Sequence, residues 1–386
     1  MISRKITPHL LEVAKFFPVV TILGPRQSGK TTLARMVFPN HTYVNLEDKA
    51  SRDIAITDPR AFFELYKPPV IIDEVQKVPE LLSTIQVMAD ATKEKGTFIL
   101  TGSHQPQLHE QISQSLAGRT GILKLFPLSI EELTDAGISL TRDEYIFNGF
   151  MPRLYNENIP PSLLYPAYYE TYVERDVRKL INVGNQHAFE VFLKLLAGRV
   201  GQVINMSDLA GSTGVSSTTI NSWLSVLEAS YIVFRLPCYF NNFGKRLIKA
   251  PKIYFTDVGL AVSLLGINTL NQVARDPLLG GLFENLVVME AVKARYNRGK
   301  TQPELYYFRV QGRNEVDLII NEKRKLIPVE IKAGMTFDPS FANEIRSFMT
   351  FSDDCINPTV FYAGDVETEI NGVHFGNFKN ISKLFA

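Results

Sequence analysis

The sequence predicts an α/β chain built from three units, and three observations carry that prediction. An apolar, β-branched run, Val19-Val20-Thr21-Ile22-Leu23, leads into a glycine-rich stretch and then a helix-compatible segment. The middle reads as helix, short helix, turn, helix, strand. The last third reads as helix, three strands, helix, strand. At 386 residues the chain is too long for one small domain. It is 45% hydrophobic and 21% charged, which suits globular cores. Its net charge of +1 exerts no overall pull on polyanions, so any nucleic acid would be held by local patches.

Cys238 and Cys355 stand far apart and suit a reducing compartment, as small buried hydrophobes. The six histidines are scattered without ligand spacing. The run FFPVVTILG is too short to span a bilayer and contains Pro18. A cytoplasmic location with no membrane partner is expected.

Gly24, Gly29, Lys30 and Thr31 match G-x-x-x-x-G-K-[ST] between a strand and a helix. Such a turn wraps an anion with backbone N–H groups, and the next helix points its positive end at it. Gly24, Pro25, Arg26, Gln27, Ser28, Gly29, Lys30, Thr31 and Thr32 are the expected ATP-binding stretch. Lys30 would reach the outer phosphates, and Thr31 would offer its hydroxyl to Mg²⁺. A second apolar run, Val70-Ile71-Ile72, ends in Asp73-Glu74. An acid there can hold Mg²⁺ beside the loop, which suits Asp73, and Glu74 can polarise water. A third run, Phe98-Ile99-Leu100, ends in Thr101-Gly102-Ser103. Thr101 or Ser103 is either a γ-phosphate sensor or a strand cap.

These stretches, GPRQSGKTTL, IIDEVQKVPELL, ILTGS, SLAGR and FPLSIEEL, resemble AAA-type ATPases fused to a domain named DUF4143. GFMPRL, YVERDV, KIYFTDVGL, LFENLVVMEAVK and EVDLII…VEIKAG continue the resemblance over nearly the whole chain. The family usually has a GGFP-like stretch, and here Met151 stands between Phe150 and Pro152. The resemblance implies a three-layer ATPase core. It also raises an arginine finger, for which Arg119 is the candidate, acting on a neighbouring subunit of a homo-oligomer; a surface or ion-paired arginine is the alternative.

After Pro160-Pro161, the residues Tyr165, Tyr168, Tyr169, Tyr172 and Val173 recur at helical spacing and read as packing between domains. Glu174, Arg175, Asp176 and Arg178 read as a charged helix face. Further on, Ser207-Asp208 and Ser216 are expected helix caps, Gly214-Val215 the turn, and Val215, Ile220, Trp223, Leu224 and Leu227 a buried stripe. With two strands this would be winged-helix-like. The second helix offers Ser216, Ser217, Thr218, Thr219, Asn221 and Ser222 but no Arg or Lys. Cations follow at Lys245, Arg246, Lys249 and Lys252, near a wing. DNA and a protein stand as alternative partners.

The element order of the last third resembles the restriction-endonuclease-like core of PD-(D/E)xK nucleases. The matching residues are Asp317, Glu330 and Lys332, with Glu284 on the preceding helix. That resemblance implies Mg²⁺ on Asp317 and Glu330, with Lys332 orienting water. A two-residue turn at Lys323-Arg324 would pair Glu322 with Lys325 and set Asp317 opposite Glu330. Pro328 complicates the ladder. The expected units are an ATPase domain over 1–135, a helical connector over 136–182, a winged-helix-like domain over 183–268 and a nuclease-like domain over 269–386. The expected function is Mg²⁺-dependent ATP hydrolysis regulating the later units, with DNA as target. The alternative is a nucleotide-gated, protein-binding switch with an inactive nuclease-like domain.

Overall fold

Residues 1–103, 112, 114–177, 186–239, 250–310 and 313–385 are described by the structure, a computed structural model. Lys245, Arg246, Lys249 and Arg178 lie outside the described residues, as do the side chains of Glu174, Arg175 and Asp176.

The first unit is a parallel sheet of β1 (Val19–Gly24), β2 (Thr42–Asn45), β3 (Val70–Asp73), β4 (Phe98–Ser103) and β5 (Thr120–Lys124), in the order β2-β3-β4-β1-β5. Strands β1, β3 and β4 are buried along their whole length, as expected when helices cover both faces. Side-chain alternation splits them between two cores. Val19, Leu23, Ile72 and Leu100 face one layer, and Val20, Ile22, Ile71 and Ile99 face the other. Helices Thr7–Phe16 and Lys30–Val37 pack on the second face through Leu10, Ala14, Leu33 and Ala34. From β1, in the interior, the chain crosses to β2 at the edge. The loop after β1 therefore opens at a switch point over the strands' carboxyl ends, where α/β sheets bind ligands.

The middle carries helices Gln186–Ala197, Met206–Thr213 and Ser217–Ala229, then an antiparallel pair of β6 (Val233–Leu236) and β7 (Lys252–Phe255). Ile220, Trp223, Leu224 and Leu227 are buried, while Ser217, Thr218, Asn221 and Ser222 face solvent. Ser216 caps its helix by accepting from Thr219 N, and Gly214 ends the previous one at φ 71°. The other cap differs from expectation. Asn205, not Ser207 or Asp208, accepts from the helix N–H groups, so the cap lies two residues before Ser207.

Tyr165, Tyr168, Tyr172 and Val173 are buried, as packing residues. Tyr165 donates 2.7 Å to buried Asp257, which also accepts from Phe150 N and Gly259 N. This knot joins the GFMP and TDVG stretches. Gly149 sits at φ +66°, and a Cβ there would lie 1.9 Å from the Tyr165 hydroxyl oxygen.

The last unit is a six-stranded sheet of β8 (Leu305–Val310), β9 (Arg313–Glu322), β10 (Lys325–Lys332), β11 (Thr359–Tyr362), β12 (Thr368–Ile370) and β13 (Val373–Asn377). Its order is β12-β13-β11-β10-β9-β8. Lys323 and Arg324 form the two-residue turn with positive φ at both positions, and Glu322 pairs with Lys325 as expected. Leu326 bonds toward the β11 side, so Pro328 points there too, ahead of the first β10–β11 pair, Val329↔Thr359. Its missing N–H is therefore tolerated. Helix Leu279–Asn297 is buried nearly all round, and one core cluster runs continuously from Phe126 to Ile381 through the middle and last units.

Candidate functional site

The loop after β1 folds as its glycines require. Gly29 takes φ +92° just before the helix, and a Cβ on Gly24 would lie 2.0 Å from the Leu125 carbonyl oxygen. Arg4 braces the loop from outside: it donates 2.8 Å to Ser28 O, 2.6 Å to Phe126 O and 3.0 Å to Glu132. Lys30 folds back inside it, donating to Pro25 O at 2.7 Å and Gly24 O at 3.2 Å. Burial pushes the Lys30 ammonium down to about 8. Ser28 Oγ is buried with no hydrogen-bond partner among the described residues. A buried ammonium and a buried hydroxyl within one glycine-bounded loop fit a phosphate-binding loop. Pro25 is buried, Gln27 and Thr32 are exposed, and Arg26 pairs with Glu47 at 3.2 Å and lies over the Tyr172 ring.

Asp73 ends β3 beside the loop. The Thr31 hydroxyl donates to its Oδ1 at 2.8 Å and its Oδ2 at 3.0 Å, and Tyr43 donates to Oδ2 at 3.1 Å. Burial and the Asp73 charge push the Tyr43 phenol up to about 12. Thr101 also donates to Asp73, so it anchors that carboxylate. A hydroxyl and a carboxylate side by side at the strand ends are hard oxygen donors, which suit Mg²⁺.

Glu74 follows in the left-handed region at φ 58° and ψ 45°, a conformation that costs a non-glycine residue and re-aims its side chain. Gln76 donates to its carboxylate and also, at 2.9 Å, to Ser103 Oγ. Ser103 stands 3.4 Å from the same Glu74 oxygen. The structure thus brings Ser103 to Glu74. Sequence reasoning missed Tyr43 and Gln76; only the glutamine's place two residues after Glu74 hinted at a role.

Arg119 lies elsewhere. Its carbonyl accepts from Val19 N, at the start of β1, while the loop follows the strand's other end. Five residues of strand separate the two, about 16 Å at ~3.3 Å per residue. The guanidinium makes a two-point pair with Asp90, at 2.5 and 2.9 Å.

In the last unit, β9 carries a bulge: Asp317 and Leu318 together oppose Tyr307 of β8. The β9–β10 ladder also ends at Val329↔Leu318, and Asp317 Oδ2 accepts from Ile331 N at 2.9 Å. The two strands part at Asp317. Glu330 is buried and pairs with Lys332 at 2.5 Å. Glu284 accepts from Tyr254 at 2.6 Å. Burial and the nearby Asp317 charge raise both the Glu284 and Glu330 carboxyls.

Lys252 stands among these acids. Its Nζ is 2.7 Å from Glu284, 2.5 Å from Glu315 and 3.6 Å from Asp317. Sequence reasoning placed it near a wing. The donor set therefore does not fit a metal ion: an ammonium already fills the gap. Among the described residues no group of three His, Cys, Asp or Glu side chains is arranged to hold one.

Three families match the chain in succession: an AAA domain over residues 17–134, a domain of unknown function (DUF8612) over 140–271, and a domain of unknown function (DUF4143) over 279–381. An uncharacterized protein of Mycobacterium tuberculosis is 31% identical over 332 residues, spanning 86% of this chain and 73% of the relative. An uncharacterized protein of Haemophilus influenzae is 22% identical over 416 residues, spanning 97% and 96%. Among solved structures, the Walker-type ATPase paby2304 of Pyrococcus abyssi is similar at TM-score 0.41 and 14% identity, covering 67% of this chain and 94% of its own. AMPPCP-bound DnaA from Aquifex aeolicus is similar at TM-score 0.28 and 13% identity, covering 58% and 85%. Both structural likenesses are loose. No described helix is long and apolar enough to cross a membrane.

Proposed function

Since the chain belongs to one family with the mycobacterial protein and carries an AAA domain ahead of a DUF4143 domain, we propose that it is a Mg²⁺-dependent ATPase whose nucleotide state acts on its later units. The observation that carries this reading is the Thr31–Asp73 contact, which joins the phosphate loop to the acid at the end of β3. Lys30 exchanges the Gly24 and Pro25 carbonyls for phosphate oxygens, and the loop amides hold the rest. Thr31 and Asp73 would hold Mg²⁺, which would supply charge neutralisation on the phosphates. Glu74 accepts the proton of the attacking water, oriented by Gln76 and Ser103. Arg119 enters only as a group offered to a second copy of the chain.

Three contacts support a relay. Arg26 of the loop lies over Tyr172 of the connector. Glu290 and Lys293, on the long helix of the last unit, bond Ile130 N and Leu128 O at 2.7 and 2.8 Å.

Lys252 favours the second reading for the last unit, a nuclease-like fold that binds rather than cleaves. Two assays test the whole. Lys30→Ala should abolish ATP hydrolysis by purified, folded protein; unchanged turnover rejects the ATPase assignment. Plasmid and single-stranded DNA with Mg²⁺ or Mn²⁺, with and without ATP, should remain intact; cleavage lost in Asp317→Ala and Lys332→Ala would restore the nuclease reading.

A further inference from the structure

We infer that Lys252 is the resident cation of the C-terminal carboxylate cluster, and that the native protein takes no divalent metal there. Lys252 opens β7, where it pairs with Leu236 and bridges to Val203. Its backbone belongs to the middle unit, and its side chain enters the last one. The Lys252 side chain is 1% exposed, and its ammonium meets Glu284 from the long helix and Glu315 and Asp317 from β9.

Each of those acids has further donors. Tyr254 bonds the same Glu284 oxygen at 2.6 Å, Arg309 pairs with Glu315 at 3.2 Å, and Ile331 N bonds Asp317. Glu330 gives one oxygen to Lys332. Its other oxygen, Oε2, is buried without a partner among the described residues. A divalent ion drawing on these carboxylates would compete with the donors they already have, Lys252, Tyr254, Arg309, Ile331 N and Lys332. A dication would also have to sit against the Lys252 charge or expel it. Expulsion would strip three carboxylates of their shared cation in a buried place, which is strongly unfavourable. The lysine therefore does what a metal would do, neutralising the acids and fixing their geometry, and it also ties β7 to the last unit. The cluster is a joint between units.

The test is Mn²⁺ binding to nucleotide-free, full-length protein, followed by the electron paramagnetic resonance signal of the free ion. Wild type and Asp317→Asn should give the same titration. Lys252→Met, which removes the ammonium and keeps the stem, should gain one bound Mn²⁺ per chain, and Lys252→Met with Asp317→Asn should lose it. A wild-type ion that vanishes in Asp317→Asn overturns the inference. So does a Lys252→Met protein with native circular dichroism and no added ion. Should Lys252→Met fail to fold, the wild-type and Asp317→Asn pair still decides.

Discussion

The Thr31 hydroxyl donates to both carboxylate oxygens of Asp73, at 2.8 and 3.0 Å. The two residues lie 42 positions apart in the chain, on the helix after β1 and at the end of β3. Asp73 accepts from Thr31, Tyr43 and Thr101 together, and in the proposed function its charge would also face Mg²⁺. Asp73→Asn keeps the shape and removes the charge. It should weaken Mg²⁺-dependent ATP binding by more than about tenfold, ~1.4 kcal/mol, with metal-free binding nearly unchanged. Calorimetric titration with ATP, with and without Mg²⁺, measures this.

Gln76 holds Glu74 and Ser103 in one arrangement. Its N–H donation fixes the Glu74 carboxylate beside Ser103. Gln76→Ala should lower kcat about tenfold and leave the ATP Kd within about twofold. A mutant with weaker ATP binding and an unchanged kcat would reduce Gln76 to a structural role.

Burial lowers Lys30 to about 8 from its ordinary 10.5 in the nucleotide-free fold. Below pH 8 both folded and unfolded chains carry the proton, and the folded state bears the full cost, on the order of 3 kcal/mol. Between pH 8 and 10.5 the unfolded chain binds more protons, so this group's contribution makes stability rise with pH. Lys30→Met should therefore be more stable than wild type at pH 7, and the gap should shrink as pH approaches 10. Urea unfolding of nucleotide-free protein at several pH values reads the difference.

Gly149 allows the Tyr165–Asp257–Phe150 knot to close. A methyl group there meets Asp257 Oδ1 at 2.2 Å as well as Tyr165, at a backbone angle that disfavours alanine. Gly149→Ala should cost at least about 2 kcal/mol, measured by urea unfolding with ATP absent.

What the sequence made legible was local. The phosphate loop is contiguous, so its glycines, Lys30 and Thr31 name the site before any folding is known. The β9–β10 register was legible because a two-residue turn fixes it, with Glu322 opposite Lys325. What was hidden depends on tertiary placement. Thr101 and Ser103 sit two residues apart on one strand, yet one anchors Asp73 and the other reaches Glu74. Arg119 is easily noticed, but only the sheet shows that it lies at the far end of β1, paired with Asp90. The bulge at Asp317 and the arrival of Lys252 from another unit have no signature in the short D…ExK pattern.

The most direct test of the ATPase account is single-turnover hydrolysis of γ-labelled ATP by Glu74→Gln beside wild type, with ATP and Mg²⁺ binding measured on the same samples. The amide keeps the shape of the carboxylate and cannot take the water's proton. The account predicts near-native ATP binding with hydrolysis slowed by about a hundredfold or more. Hydrolysis at the wild-type rate with ATP bound would contradict it.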